Sequence, residues 1–274
     1  MNLREIHIVG KCNNRNVAVR RRFNRTVLNQ ILQGGTQCRF RRRKRGVYYK
    51  SGGRITGKEI ARCRKLAIPP AYAEVCVHRP SADLQATAVD VNGKRHYYYS
   101  KNFLKRQMKQ RMGRVKRLRI SKLLAATRSC KTPEQVALRM LAKTYMRPGS
   151  RSAIAIGAFG LKGKHMKIKS GGYIELSFVG KSGVRQKKRF RDAPLTRALK
   201  GTARGNFLLT ASRAETRNLL RRVGKNGDLK LKDIRSAGAN KVFKTCRGSA
   251  KECHAVSAAA LGHTPAVNKK YYVM

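Results

Sequence analysis

At Ser100 the chain changes periodicity, and that change constrains its fold more than any other feature. Before it, "AEVCVHR", "LQATAVDV" and "HYYYS" alternate apolar and polar residues at the two-residue period of a strand, with "DVNGK" as the turn between the last two. "GKEIARCRKLA" reads as a short helix with Ile60 and Leu66 on its apolar side, stopped by Pro69 and Pro70, whose rings cannot continue a helical ladder. Upstream, "GVYYKSGGRI" reads as a hairpin about a Ser-Gly-Gly turn, "REIHIVG" as a short strand and "RTVLNQILQGG" as a short helix ending at Gly34.

After Ser100 the period becomes helical. Leu104, Met108, Met112, Val115 and Leu118 fall at helix spacing, and Thr132-Pro133 is an N-cap followed by proline at the first helical position. Residues 164–190 interrupt this texture: Gly171-Gly172 and Gly180-Lys181-Ser182-Gly183 are two turns joining three strands. Helices resume at "PLTRALKG", "SRAETRNLLRRVG" and "LKDIRSAGANKVF". Ser249 to Glu252 matches a capping box before an alanine-rich helix that ends at Gly262, and Thr264-Pro265 starts a last helix. The expected fold is therefore α+β. A small β-rich N-terminal domain covers residues 1–104, and a mainly α-helical domain carrying a three-stranded antiparallel sheet covers 105–274.

Charge narrows the partner. The chain has 65 Lys and Arg against 12 Asp and Glu, a formal net charge of +53. Self-repulsion on that scale opposes a compact state, and a polyanion relieves it. Phosphate backbones bind such surfaces with release of counterions, so affinity falls steeply with salt. Arg39 and the run Arg41 to Arg45 form the densest basic stretch. The hydrophobic fraction of 41% excludes a disordered basic tail. A DNA-packaging or ribosomal protein fits composition alone.

The acids are sparse: no two lie closer than five residues, and no DxD or ExxE pair is present to hold Mg²⁺. No GxxxxGK[ST] loop occurs. The expectation is chemistry without ATP or metal, with charge stabilised by the protein's own cations. Seven cysteines at irregular spacing with no CxxC pair read as buried or idle thiols in a reducing compartment, in preference to a ligand set of Cys246, Cys253 and His254. No apolar stretch reaches the roughly 20 residues of a membrane span, and no secretory signal is apparent.

Five blocks in order, "KLAIPPAYAEV", "LQATAVDVNGKRHYYYS", "GLKGKHMKI" with "LSFVGKSG", "LKDIRSAGAN" and "LGHTPAVNKKYY", resemble the type IB DNA topoisomerases of the small poxviral and bacterial kind. The resemblance runs from about Arg39 to Tyr272. It implies relaxation of supercoiled duplex DNA through a transient single-strand break, with a covalent 3′-phosphotyrosyl intermediate and no cofactor. It implies that Tyr272 is the nucleophile, that Arg139 and Arg235 are the first and second arginines, that Lys181 is the hairpin lysine and that His263 is the histidine. Arg95, Tyr97, Tyr99, Tyr145 and Lys232 are implied DNA contacts, and the partner is double-stranded DNA, held by a monomer that clamps around it. The chain would act with DNA, in a nucleus, viral factory, virion or bacterial-type cytoplasm. The pattern departs at Tyr72, Ala88, Met140 to Thr144 and Ala237. Tyrosine recombinases share the Arg, Lys, Arg, His and Tyr set and form the alternative reading.

The chemistry suits the residues. Guanidinium forks match the oxygens of a phosphate, and a lysine on a turn tip can reach a leaving oxygen and protonate it. One requirement follows for the C-terminus. His263 and Tyr272, nine residues apart, would stand about 13 Å apart and on opposite faces of a continuous helix. Both reach one phosphate only if His263 precedes the helix, which Gly262 and Pro265 allow. Tyr271 points about 100° away from Tyr272 on a helix and is expected to pack or to contact DNA.

Overall fold

A computed structural model of the chain describes residues 40–42, 48–49, 55–152 and 155–273. The strand expected at 4–10, the helix expected at 25–35 and the Ser51-Gly52-Gly53 turn lie outside them. The chain divides into two units, Met1–Lys105 and Arg106–Met274.

The first unit holds a five-stranded antiparallel sheet in the order β2-β1-β3-β4-β5. Its strands are β1 (Phe40–Arg42), β2 (Tyr48–Tyr49), β3 (Ala73–Val77), β4 (Leu84–Val89) and β5 (Arg95–Tyr99). Tyr48 and Tyr49 pair with Arg42 and Arg41. Helix α1 (Gly57–Lys65) begins at a capping box in which Thr56 and Glu59 satisfy each other's backbone donors. It ends where Ala67 turns to φ +48° ahead of the prolines. The guanidinium of Arg42 then donates to the carbonyls of Ile68, Pro69 and Tyr72 at 2.7 to 2.8 Å, so the proline turn is fastened to β1. Cys63, Ile68, Val75, Val77, Ala86 and Ala88 form the core of the unit. In the β4–β5 turn, Asp90 Oδ1 accepts from the backbones of Asn92 and Lys94, and Gly93 takes the positive φ the turn needs.

The second unit is helical around one small sheet. Its helices are α2 (Lys101–Arg117), within which the division of units falls, α3 (Ile120–Ala126), α4 (Pro133–Thr144), α5 (Ala193–Leu199), α6 (Arg213–Val223), α7 (Leu231–Thr245), α8 (Ala250–Leu261) and α9 (Pro265–Tyr271). The antiparallel sheet runs β6 (Met166–Lys169), β7 (Tyr173–Val179), β8 (Arg185–Arg191). Its two turns carry the glycines in left-handed backbone, at φ +69° and +74° for Gly171 and Gly172 and +72° for Gly183.

The core centres on α4, in which every residue from Val136 to Leu141 is buried, with Phe159, Ile174, Leu176, Leu195 and Leu220 packed about it. Each such leucine or isoleucine contributes about 1.5–3 kcal/mol by leaving water. The periodic stripe of α2 divides. Val115 and Leu118 are buried, whereas Leu104 and Met108 remain 53% and 41% exposed, so only its C-terminal part serves the core. A buried ion pair between Arg114 and Asp233, at 2.8 Å, fastens α2 to α7.

The expectation of idle thiols fails at Cys246 and Cys253, which form a disulfide, and Cys76 is disulfide-bonded as well. The physical reason is local. Cys246 caps the end of α7, α8 starts four residues on, and the turn between them brings the two Cα atoms to 5.5 Å. The inference of a reducing compartment from cysteine spacing therefore loses its support. Cys63 and Cys130 are buried cysteines outside these disulfides.

Candidate active site

Helix α8 ends at Gly262, in the left-handed conformation at φ +73°, and both its N–H and that of His263 bond back to the Ala258 carbonyl. Thr264 then caps α9 through its side chain, with Pro265 at the first helical position. His263 therefore stands between two helices, as the sequence requires. Its ring stacks on that of Tyr272, centroids 4.7 Å apart and planes 17° from parallel. Tyr271 is 48% exposed.

Arg235, on the buried side of α7, closes this cluster. Its Nη2 lies 2.7 Å from His263 Nδ1, its Nη1 donates to the Tyr145 carbonyl at 2.9 Å, and its guanidinium sits 5.1 Å from the centroid of the Tyr272 ring. A guanidinium can only donate, so Nδ1 of His263 is the acceptor and Nε2 carries the proton, which goes to Asn268 Oδ1 at 3.0 Å. Asn268 is fully buried, and its Oδ1 accepts from Ser257 as well. Burial, then the charges of Arg235, Arg147 and Lys188, hold the imidazole pKa below its ordinary value against the opposing Asn268 bond. Burial likewise lowers Arg235, with Tyr272 opposing through its charge and a hydrogen bond. The Nε of Arg235 is buried and has no hydrogen-bond partner among the described residues. An orphaned N–H of this kind costs about 1–3 kcal/mol unless a ligand takes it.

These side chains line a cleft of about 580 Å³. Five cations border it among the described residues: Arg111, Arg147, Lys181, Lys232 and Arg235. Lys181 is exposed on the β7–β8 turn. The strand behind it is tied to the end of α8, because Gln186 Nε2 donates to the Gly262 carbonyl at 3.3 Å and Lys188 Nζ to the Ala260 carbonyl at 2.5 Å. A side chain on Gly262 would collide with the Gln186 amide. Burial, with the Arg235 charge, brings the Lys188 ammonium down to about 8. Burial also lowers Lys232, helped by Lys230 and Arg111.

Arg139 is engaged elsewhere. It is almost fully buried within α4, with Nε on Asp192 Oδ1 at 2.7 Å and Nη1 on the Leu124 carbonyl at 2.7 Å, and it does not border the cleft. Arg147 borders it instead, just past the end of α4. Pro148 and Gly149, the latter at φ +65°, turn the chain there, and Gly149 crosses Gly157 so closely that a Cβ on either would lie 2.7 Å from backbone. The sequence marks this break with Pro-Gly, a helix-stop pair that would have drawn attention to the arginine before it. Tyr145 adopts φ +52°, its ring packed over Gly238 of α7, where a Cβ would come within 2.3 Å. Its carbonyl accepts from Arg235.

The implied DNA contacts of the first unit are partly occupied. Arg95 pairs with Glu74 at 2.6 Å, Tyr99 stacks on Phe103 with centroids 4.8 Å apart, and Tyr97 is half-buried. Arg111 and Asn268 escaped the reading of the sequence. Arg111 sits on a helix in which basic residues are common, and Asn268 differs in nothing from an ordinary helical asparagine until its partners are known.

Comparison with known proteins identifies the family. The family model of the eukaryotic DNA topoisomerase I catalytic core matches residues 94–272, and that of the bacterial DNA topoisomerase IB N-terminal domain matches residues 47–90. A protein named DNA topoisomerase 1B from Acanthamoeba polyphaga mimivirus is 29% identical over 273 aligned positions, covering 83% of this chain and 81% of that protein.

Proposed function

The chain belongs to the type IB DNA topoisomerase family, and from that premise we propose that Tyr272, Arg147, Lys181, Arg235 and His263 carry its reaction. The enzyme is an isomerase of DNA topology acting on duplex DNA. With the family established, the packaging and recombinase readings lose their support.

The Tyr272 hydroxyl attacks the scissile phosphorus. The O–P bond to the 5′ oxygen breaks as the tyrosyl–phosphorus bond forms, leaving a 3′-phosphotyrosyl link and a free 5′ hydroxyl. The phenolic proton passes to solvent, and Lys181 protonates the leaving 5′ oxygen. Rotation of the free strand releases supercoiling, and attack by the 5′ hydroxyl reverses the chemistry. The number of phosphodiester linkages is conserved, so no energy source is needed.

Negative charge grows on the non-bridging oxygens as phosphorus becomes five-coordinate. Arg235 and Arg147 face that charge from the cleft, and one such fixed donor contributes about 2.7–4 kcal/mol. His263 holds Arg235 through Nδ1 and stacks the phenol; when DNA enters, its Nε2–H turns from Asn268 to a phosphate oxygen. Arg139 becomes the buried counter-ion of Asp192 and orders α4. Tyr145 supports Arg235 and Lys232 binds backbone phosphate. The observation that carries this reading is the contact of Tyr272, His263 and Arg235 in one cluster.

The β-rich residues 1–104 and the helical residues 105–274 act as the two parts of a monomeric clamp, with Arg95, Tyr97 and Tyr99 as DNA contacts of the former. The charge of +53 supports tight, salt-sensitive retention on DNA. No helix among the described residues is long and apolar enough to cross a membrane. A supercoil-relaxation gel tests the whole reading. The parent enzyme relaxes plasmid in EDTA, and Tyr272→Phe binds DNA but neither relaxes it nor forms an adduct. Relaxation by Tyr272→Phe would contradict the assignment.

A further inference from the structure

We propose that Arg111 is a further catalytic residue, a third guanidinium at the scissile phosphate. The inference deepens the reading of the same site and rests on it. Arg111 projects from α2 into the cleft, and its guanidinium carbon lies 5.4 Å from the centroid of the Tyr272 ring. It is fixed there by a hydrogen bond from Nη2 to Ser236 Oγ, on the residue next to Arg235. One turn further along α2, the buried Arg114–Asp233 pair locks the helix against α7, so the position of Arg111 relative to Arg235 is set by two bonds rather than by a free side chain.

Three features separate this arginine from the many that merely meet solvent. Burial lowers its pKa, with the neighbouring Arg114 also lowering it and Tyr272 and Asp233 opposing. Its Nε is buried and has no hydrogen-bond partner among the described residues, the same condition as Nε of Arg235 on the same cleft. Both guanidiniums also touch the ring of the nucleophile. A cation desolvated at such cost, with a donor left open beside a reacting phenol, fits an anion that arrives with the substrate. A phosphate bound between Arg111 and Arg235 would be met by both guanidiniums. The arrangement adds charge stabilisation to the transition state and holds the Tyr272 ring through its face.

The test compares single-turnover cleavage by the parent enzyme and by Arg111→Met on two suicide duplexes. One carries a normal scissile phosphate. The other carries a methylphosphonate there, which removes the charge a guanidinium would meet. Arg111→Met should slow cleavage of the normal duplex about 100-fold, with duplex affinity within about threefold of the parent, since one phosphate contact among many shifts binding little. On the methylphosphonate duplex the gap between the two enzymes should shrink to less than about fivefold, because a neutral centre no longer calls for the cation. Arg111→Lys, which keeps the charge, should lie between parent and Arg111→Met on the normal duplex. A gap of equal size on both duplexes would assign Arg111 to propping Tyr272 and overturn the proposal, as would unchanged cleavage of the normal duplex. Failure of the parent enzyme to form an adduct would instead sink the underlying assignment of Tyr272, so the two failures are distinct.

Discussion

Arg139 in α4 and Arg235 in α7 are two arginines of nearly equal burial, 8% and 3% exposed, in neighbouring helices of one unit. One is neutralised by a carboxylate, with Asp192 at 2.7 Å, and does not border the cleft that holds Tyr272. The other has no carboxylate partner among the described residues, bonds a histidine and a carbonyl, and has a buried Nε–H without a partner among them, in a guanidinium beside a tyrosine ring. Burial and residue type do not separate an arginine held by a carboxylate from the one proposed to face the phosphate. The identity of the partner does. A buried cation that is paired holds a fold together; a buried cation left partly unpaired is held ready for an anion from outside.

The comparison can be broken by substituting each arginine in turn. Arg235→Ala should reduce single-turnover cleavage by at least 10²- to 10³-fold, the loss typical of a fixed donor to a transition-state oxyanion. Its melting temperature should stay close to that of the parent or rise, because an incompletely satisfied buried cation is removed. Arg147→Ala should give a loss of similar kind, roughly 10²-fold. Arg139→Met should do the reverse. It leaves the Asp192 carboxylate buried without its main partner and should destabilise by about 3–5 kcal/mol in denaturant unfolding. The fraction that remains folded should cleave within about tenfold of the parent, a margin set well below the loss of a transition-state donor. A large rate loss for Arg139→Met without loss of stability would return the first guanidinium role to Arg139.

A smaller effect sharpens the same contrast at the point where Arg235 is held. Gly238→Ala puts a methyl 2.3 Å from the ring of Tyr145, the residue whose backbone carbonyl accepts from Arg235. Tyr145 must then move, and about 1–3 kcal/mol of stability should be lost by overpacking. Cleavage should fall, and duplex affinity should hold. An unchanged rate would show that the Tyr145 carbonyl does not orient Arg235.

The smallest effect concerns pH. Nδ1 of His263 accepts from Arg235 only while the imidazole is neutral. Burial and the surrounding cations hold its pKa below 6.5, so the bond is intact at neutral pH and is lost as pH falls through that lowered value. The rate of cleavage should therefore stay flat from neutral pH down past 6.5 and fall below it. A decline that begins above 6.5 would mean that the imidazole is not held neutral.

How much of this the sequence discloses depends on the range of the determinants. Local ones are plain. The glycines of the β6–β7 and β7–β8 turns, the Ser249–Glu252 box and the Gly262–His263–Thr264–Pro265 break are each written in a few consecutive residues, so these elements are legible locally, whereas the choice of Lys181, His263 and Tyr272 within them comes from the ordered resemblance to the family. The partner of Arg139 is 53 positions away, at the far end of β8 from the lysine turn, and no local pattern joins the two. The choice between Arg139 and Arg147 depends on that distant carboxylate. Arg111 is similar, since its contact with Ser236 spans 125 positions. The Cys246–Cys253 bond differs again: the thiols are seven positions apart, yet only the tight passage from α7 to α8 brings them together. The exposure of Leu104 and Met108 shows that helical period alone does not say which part of a stripe meets the core.

The central claim is that cations of the chain, with no ion added, let one phenol near the carboxyl end displace a 5′ oxygen from DNA. Peptide mapping of the covalent adduct trapped on a suicide duplex in EDTA tests it most directly. The adduct should carry a nucleotide joined through a phosphotyrosyl ester to Tyr272 alone, formed at the same rate with and without the chelator. Modification of Tyr271, or an adduct that appears only when a divalent cation is restored, would contradict it.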